Sequence, residues 1–103
     1  MKRPVRLLPE AKAEFDEAAD WYEGQRGGLG LRFVGQIRAV LRRIARNPKL
    51  HAAVYKDVRK AVVARFPYVV LYREEDRSVV VIAVFHASRN PGVWKSRARK
   101  RKM

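Results

Sequence analysis

The sequence predicts an α+β domain: an N-terminal strand, a helical hairpin, then three antiparallel strands forming a small sheet with the helices on one face. Three observations carry that prediction. Between Val58 and His86 the apolar residues fall into three runs rich in Val, Ile, Tyr and Phe, alternating with period two. Between Pro9 and Pro48 they recur instead at helical spacing, in two segments parted by Gly27, Gly28 and Gly30. Helices and strands are thus segregated along the chain, which packs paired helices against one face of a sheet.

Lys2–Leu8 alternates weakly, with Val5 and Leu7 on one side, and reads as a short first strand. Pro9 suits the first turn of a helix, where its missing N–H costs nothing, and Glu10 suits the positive dipole end. Ala11, Phe15, Ala18, Ala19 and Tyr22 follow at helical spacing through about Gln25. Glu10, Glu14, Asp16, Glu17, Asp20 and Glu23 flank that stripe and read as a solvated or ion-paired face, not a carboxylate site. No strand precedes the glycines and no P-loop lysine follows, so they mark a tight helix–helix connection rather than a phosphate cradle.

The second helix carries Phe33, Ile37, Val40, Leu41 and Ile44 on one stripe and stops at Asn47-Pro48. Its Arg38, Arg42, Arg43 and Arg46 suit the negative dipole end, and pairing with the first helix's acids would cancel charge locally. The uncancelled charge is then expected on the sheet and tail. Lys49–Lys56 reads as a linker containing an inert His51.

Val58–Arg65 and Pro67–Arg73 are the next two strands, meeting at Phe66-Pro67, and Glu74-Glu75-Asp76 turns into Arg77–His86. In the middle run Val69 and Leu71 oppose Tyr68, Val70 and Tyr72. In the last, Val79, Val81, Ala83 and Phe85 oppose Val80, Ile82, Val84 and His86. That run is apolar on both faces, as an interior strand is. A short helix is expected through Arg97, closing a single domain over 1–98, with 99–103 a disordered basic tail. The sheet face opposite the helices is expected to stay partly open for a partner.

Length allows one domain. The absence of cysteine excludes disulfides and thiolate chemistry and fits a cytoplasmic home. No apolar run approaches the roughly 20 residues of a transmembrane helix, and the basic start is too short for a secretory signal. Two histidines and no cysteine suggest no metal site and no cofactor. The net charge of +14 points to an acidic partner. No acidic residue follows Asp76.

Several stretches together resemble the RelE/ParE superfamily of toxins from type II toxin–antitoxin systems. They are Phe15…Ala18-x-x-Trp21-Tyr22-Glu23, Gly28-Leu29-Gly30…Phe33, Ile44…Pro48, and Arg65-Phe66-Pro67-Tyr68-x-Val70-x-Tyr72. The last is Ala83-Val84-x-His86-x-x-Arg89-x-Pro91-x-x-Trp94-x-x-Arg97. The resemblance implies a compact α+β fold and neutralisation by an antitoxin encoded beside the toxin. RelE-like members cleave mRNA on the ribosome without metal, using among other groups a strand arginine and a late tyrosine. At those motif positions this chain has Val69 and Trp94, and its pattern is similar to the ParE-like branch, which inhibits DNA gyrase.

The resemblance thus implies a gyrase inhibitor, with an acidic antitoxin and gyrase as partners in toxin–antitoxin hetero-oligomers and no membrane contact. The alternatives are a ribosome-dependent endoribonuclease acting on mRNA and a non-toxic basic nucleic-acid-binding module. The candidate docking residues are Arg65, Arg73, Tyr68, Tyr72, His86, Arg89, Trp94, Lys95 and Arg97. Were the chain a nuclease, His86, Arg89, Arg65 and Tyr72 would be the catalytic candidates.

Overall fold

The structure, a computed structural model, describes residues 2–101. The elements follow in order: β1 (Val5–Leu7), α1 (Pro9–Gln25), α2 (Leu29–Arg46), β2 (Ala53–Tyr55), β3 (Val58–Val62), β4 (Tyr68–Glu75), β5 (Ser78–His86) and α3 (Gly92–Arg101). They build one five-stranded sheet in the order β1-β5-β4-β3-β2. The sheet is mixed and has five strands, where the sequence reading expected an N-terminal strand and three antiparallel ones. β1 pairs with β5 in parallel, Val5 opposite Val79 and Leu7 opposite Val81, while the other pairings are antiparallel. An interior β5 needs a neighbour on each edge; β4 takes one and β1 the other. β2, inside the expected linker, is a second correction, because three residues are too few to show a period.

The helical hairpin is fixed at its bend. Gly28 has φ of 87°, a left-handed conformation that favours glycine. At Gly30 a Cβ would lie 2.7 Å from the Ala19 carbonyl oxygen, so only glycine lets the helices approach this closely. The Glu23 carboxylate accepts the N–H groups of Gly28 and Gly30 at 3.0–3.1 Å, satisfying donors that the start of α2 leaves open. Phe33, Ile37, Val40 and Ile44 of α2 then pack with Ala11 and Ala18 of α1 onto Val70, Tyr72, Val79, Val81 and Val84 of the sheet.

Strand limits shift from the sequence reading. β3 ends at Val62, and a loop with Arg65 at φ 70° leads into β4. β4 runs on to Glu75, so the turn lies at Asp76-Arg77, with Arg77 at φ 68°. Within β5 the alternation breaks. Leu71 faces Ala83 but Tyr72 faces Val81, leaving Ile82 as an extra residue, a β-bulge. Val79, Val81 and Val84 therefore share the helical core, while Val80, Ile82, Ala83 and Phe85 share the other face. A one-residue slip moves each later side chain across the sheet, so Ala83 and Phe85 do not lie with Val79 and Val81 as expected.

The second face, expected to stay partly open, is covered over much of β4 and β5, leaving a groove. α3 lies across that face, seating Trp94 and Ala98 among Leu8, Leu71, Val80, Ile82 and Phe85. Trp94 and Ala98, at i and i+4, share the one buried side of a helix otherwise rich in Lys and Arg. α3 also continues through Arg101 rather than ending at Arg97; Lys102 and Met103 of the expected tail lie outside the described residues.

Candidate functional site

The polar features converge at the C-terminal end of β5. β1 is too short to cover that end, so the bulge leaves backbone groups facing outward past it. Glu14 and Arg97 meet them: Val84 N–H donates to Glu14 Oε1 at 3.1 Å, and Arg97 Nη1 donates to the Ile82 carbonyl at 2.8 Å. Glu14 and Arg97 pair with each other at 3.1 Å through both carboxylate oxygens, and Arg89 Nη1 joins at 3.3 Å. Both central side chains are nearly buried, at 13% and 12% exposure. This node ties α1, β5 and α3 together.

Beyond it the chain turns tightly. His86 Nδ1 accepts the Ser88 N–H at 3.1 Å and lies 2.8 Å from Ser88 Oγ, while its ring stands edge-on to Tyr68. The Arg89 guanidinium lies 4.5 Å from the centre of the Phe85 ring. Asn90 Oδ1 accepts the Gly92 N–H at 2.9 Å and starts α3. Between that start and the sheet opens a groove of about 240 Å³, with Val69, Leu71, Phe85 and Trp94 along it and Lys60, Arg89 and Lys95 among its charged groups.

Tyr55 stands beside the groove with a cationic surround. Lys56 and Lys95 lie 5.7 and 5.4 Å from its ring centre, Trp94 meets it edge-on, and Arg99 Nη1 donates to its hydroxyl at 3.0 Å. The Arg99 hydrogen bond holds the phenol below its ordinary pKa, helped by the charges of Arg99, Lys56 and Lys95 against the upward pull of burial. Tyr68 shifts the other way. Burial raises it first, with Tyr22 and Glu14 adding and Arg89 opposing.

The expected docking residues divide sharply. His86, Arg89 and Lys95 surround the β5–α3 rim, with Tyr68 half-buried beneath His86. Tyr72 is fully buried, its hydroxyl donating to the Pro48 carbonyl at 2.7 Å, which removes it from any exposed face. Arg73, 5% exposed, pairs with Asp57 at 3.2 Å and reaches the Ala98 carbonyl. Arg97 belongs to the Glu14 node, and Trp94, 5% exposed, anchors α3 rather than protruding. Arg65 lies apart, facing α2 across a second groove.

The sequence placed Glu14 on a solvated or ion-paired face; it is ion-paired, but nearly buried and bonded to the sheet backbone, which sequence reasoning missed. The signal was its position: residues 11, 14, 15, 18 and 22 form one stripe, and Glu14 is the carboxylate within it, with Asp16, Glu17 and Asp20 off it. Lys60 and Tyr55 carried no comparable signal. The described residues contain no group of three His, Cys, Asp or Glu able to hold a metal, and no helix among them is long and apolar enough to cross a membrane.

A family model described as the ParE toxin of type II toxin-antitoxin system, parDE, matches residues 5–91, from β1 through the turn before α3. Among solved structures, one described as the chromosomal ParDE TA system from P. aeruginosa contains a similar chain, with a TM-score of 0.74 and 16% identity. The match covers 84% of this chain and 98% of that one. At that identity the likeness concerns the fold. No curated protein matches the sequence significantly.

Proposed function

The chain belongs to the ParE toxin family of type II toxin–antitoxin systems, and from that membership we propose that it arrests growth by binding and inhibiting DNA gyrase. Its partners on this reading are gyrase and a cognate acidic antitoxin, both met in the cytoplasm. The observation that supports inhibition by contact over RNA cleavage is that only two of the four nuclease candidates, His86 and Arg89, share one rim, and both are already engaged. Tyr72 is sealed in the core, Arg65 faces α2, Arg89 is paired with Glu14, and His86 Nδ1 is engaged by Ser88. A general base and a transition-state cation must converge within hydrogen-bond reach of one reacting group. Val69, where a RelE-like strand arginine would fall, contributes only apolar surface to the groove.

Inhibition needs instead an apolar patch with a charged rim, the form of a protein-binding hot spot. The groove between β4, β5 and α3 has that form, with Lys60, Arg89 and Lys95 around Val69, Leu71 and Phe85. Purified protein should block supercoiling by gyrase, and Lys60→Glu with Lys95→Glu should weaken that block at least about tenfold while the fold survives, because Lys60 is exposed, Lys95 is partly so, and neither enters an ion pair of the described residues. Cleavage of mRNA on ribosomes, with gyrase unaffected, would sink this reading. Salt-dependent binding to naked nucleic acid without growth arrest would mark the basic binding module instead.

A further inference from the structure

A larger groove lies elsewhere. It measures about 870 Å³ and runs along the outer side of α2, lined by Leu29, Arg32, Gly35, Gln36, Ala39 and Arg42, with Arg65 and Phe66 of the β3–β4 loop as its far wall. The second helix was expected to cancel its charge against the acids of α1. It does not do so. Among the described residues Glu14 pairs with Arg89 and Arg97, Asp16 with Lys12, and Glu23 with backbone N–H groups. Arg32, Arg42 and Arg65 enter none of the ion pairs of the described residues, and α2 contains no acidic residue. The arginines of sheet and tail are the engaged ones: Arg73, Arg89, Arg97 and Arg99 each have a partner.

We propose that this groove seats an acidic amphipathic helix of a protein partner. Its length supports that occupant: Leu29 to Arg42 spans roughly 20 Å along α2, enough for three to four turns lying alongside. Its wall is a helix whose backbone groups are already bonded, so it offers no edge to an extended strand. Leu29, Gly35, Ala39 and Phe66 give the occupant an apolar floor, and the three unpaired guanidiniums select carboxylates over lysines on its flanks. A phosphate backbone would use the charges but leave that floor unfilled. Identifying the helix with the antitoxin would rest on the toxin reading above; the groove's selectivity does not.

The test uses the isotope-labelled full chain and three probes: a synthetic helix of Leu, Ala and Glu about four turns long, the same peptide with Lys for Glu, and a short DNA duplex. The acidic peptide should shift the amides of Arg32, Gly35, Ala39 and Phe66, and the lysine peptide should not. Arg32→Glu with Arg42→Glu should weaken its binding at least about tenfold. Arg38→Glu with Arg46→Glu, the same change of charge on exposed residues outside the groove, should weaken it no more than about threefold, as screened distant charges do. Shifts centred on His86–Lys95, equal losses in both variants, displacement of the peptide by the duplex, or no binding would each overturn the proposal. Gyrase and antitoxin are absent from the titration, so its failure leaves the toxin reading standing.

Discussion

Glu14 sits on the buried stripe of α1, where it accepts the Val84 N–H of the β5 bulge and neutralises Arg97. Glu14→Ala strands a nearly buried guanidinium and a backbone donor, and should cost on the order of 3 kcal/mol in urea unfolding. Glu14→Gln keeps an acceptor and should cost less. A loss within the roughly 0.5 kcal/mol of an ordinary surface change would return Glu14 to the solvated face its neighbours occupy. His51 offers a pH test. Burial, then the charge of Arg43, lowers its pKa, so the unfolded chain binds the proton more readily. Stability should therefore hold above about pH 6.5 and fall as pH drops below it. The urea midpoint of His51→Gln should fall less than that of the native chain between about pH 8 and pH 5; equal falls would show that His51 is not the group responsible.

At the scale of elements, α3 is the piece whose role the sequence understated. Half of its ten residues are basic, yet Trp94 and Ala98 seat it on the sheet, and Arg73 and Arg97 tie it to β4 and β5. Trp94→Ala should cost about 3 kcal/mol, the lower range for a buried aromatic, since one side of the helix faces solvent. Amide exchange in residues 93–98 should accelerate while the centre of β5 stays protected. Equal acceleration in both would mean that α3 and the sheet unfold as one unit. The hairpin was more legible, because its stripes have the helical period and Gly28 and Gly30 stand where a left-handed turn and a close approach need them. The bulge was not, since a run apolar at every position looks the same before and after a slip.

Across the whole molecule, a net charge of +14 is distributed opposite to what segment-by-segment reading suggests. The acids cluster in α1, but several are spent on Lys12, on the helix bend and on the Glu14 node, leaving Arg32, Arg42 and Arg65 without an ion pair beside the α2 groove. Self-repulsion of that field should make the fold more stable in salt, with the melting temperature rising by about 2–4 °C between roughly 20 and 300 mM NaCl. Arg32→Glu with Arg42→Glu should flatten that dependence. An unchanged or falling melting temperature would mean that ion pairs outweigh repulsion.

The sequence by itself determined the helical hairpin, the interior β5, the net cationic character and the resemblance to one toxin family, because periodicity, composition and motif order are local properties of a chain. Tertiary structure alone decided which charges pair, that β1 runs parallel to β5, that β5 slips at Ile82, and that α3 packs across part of the second face of the sheet. Those depend on which side chains arrive together from distant segments, as Glu14 meets Arg97. No spacing along the chain encodes that distance.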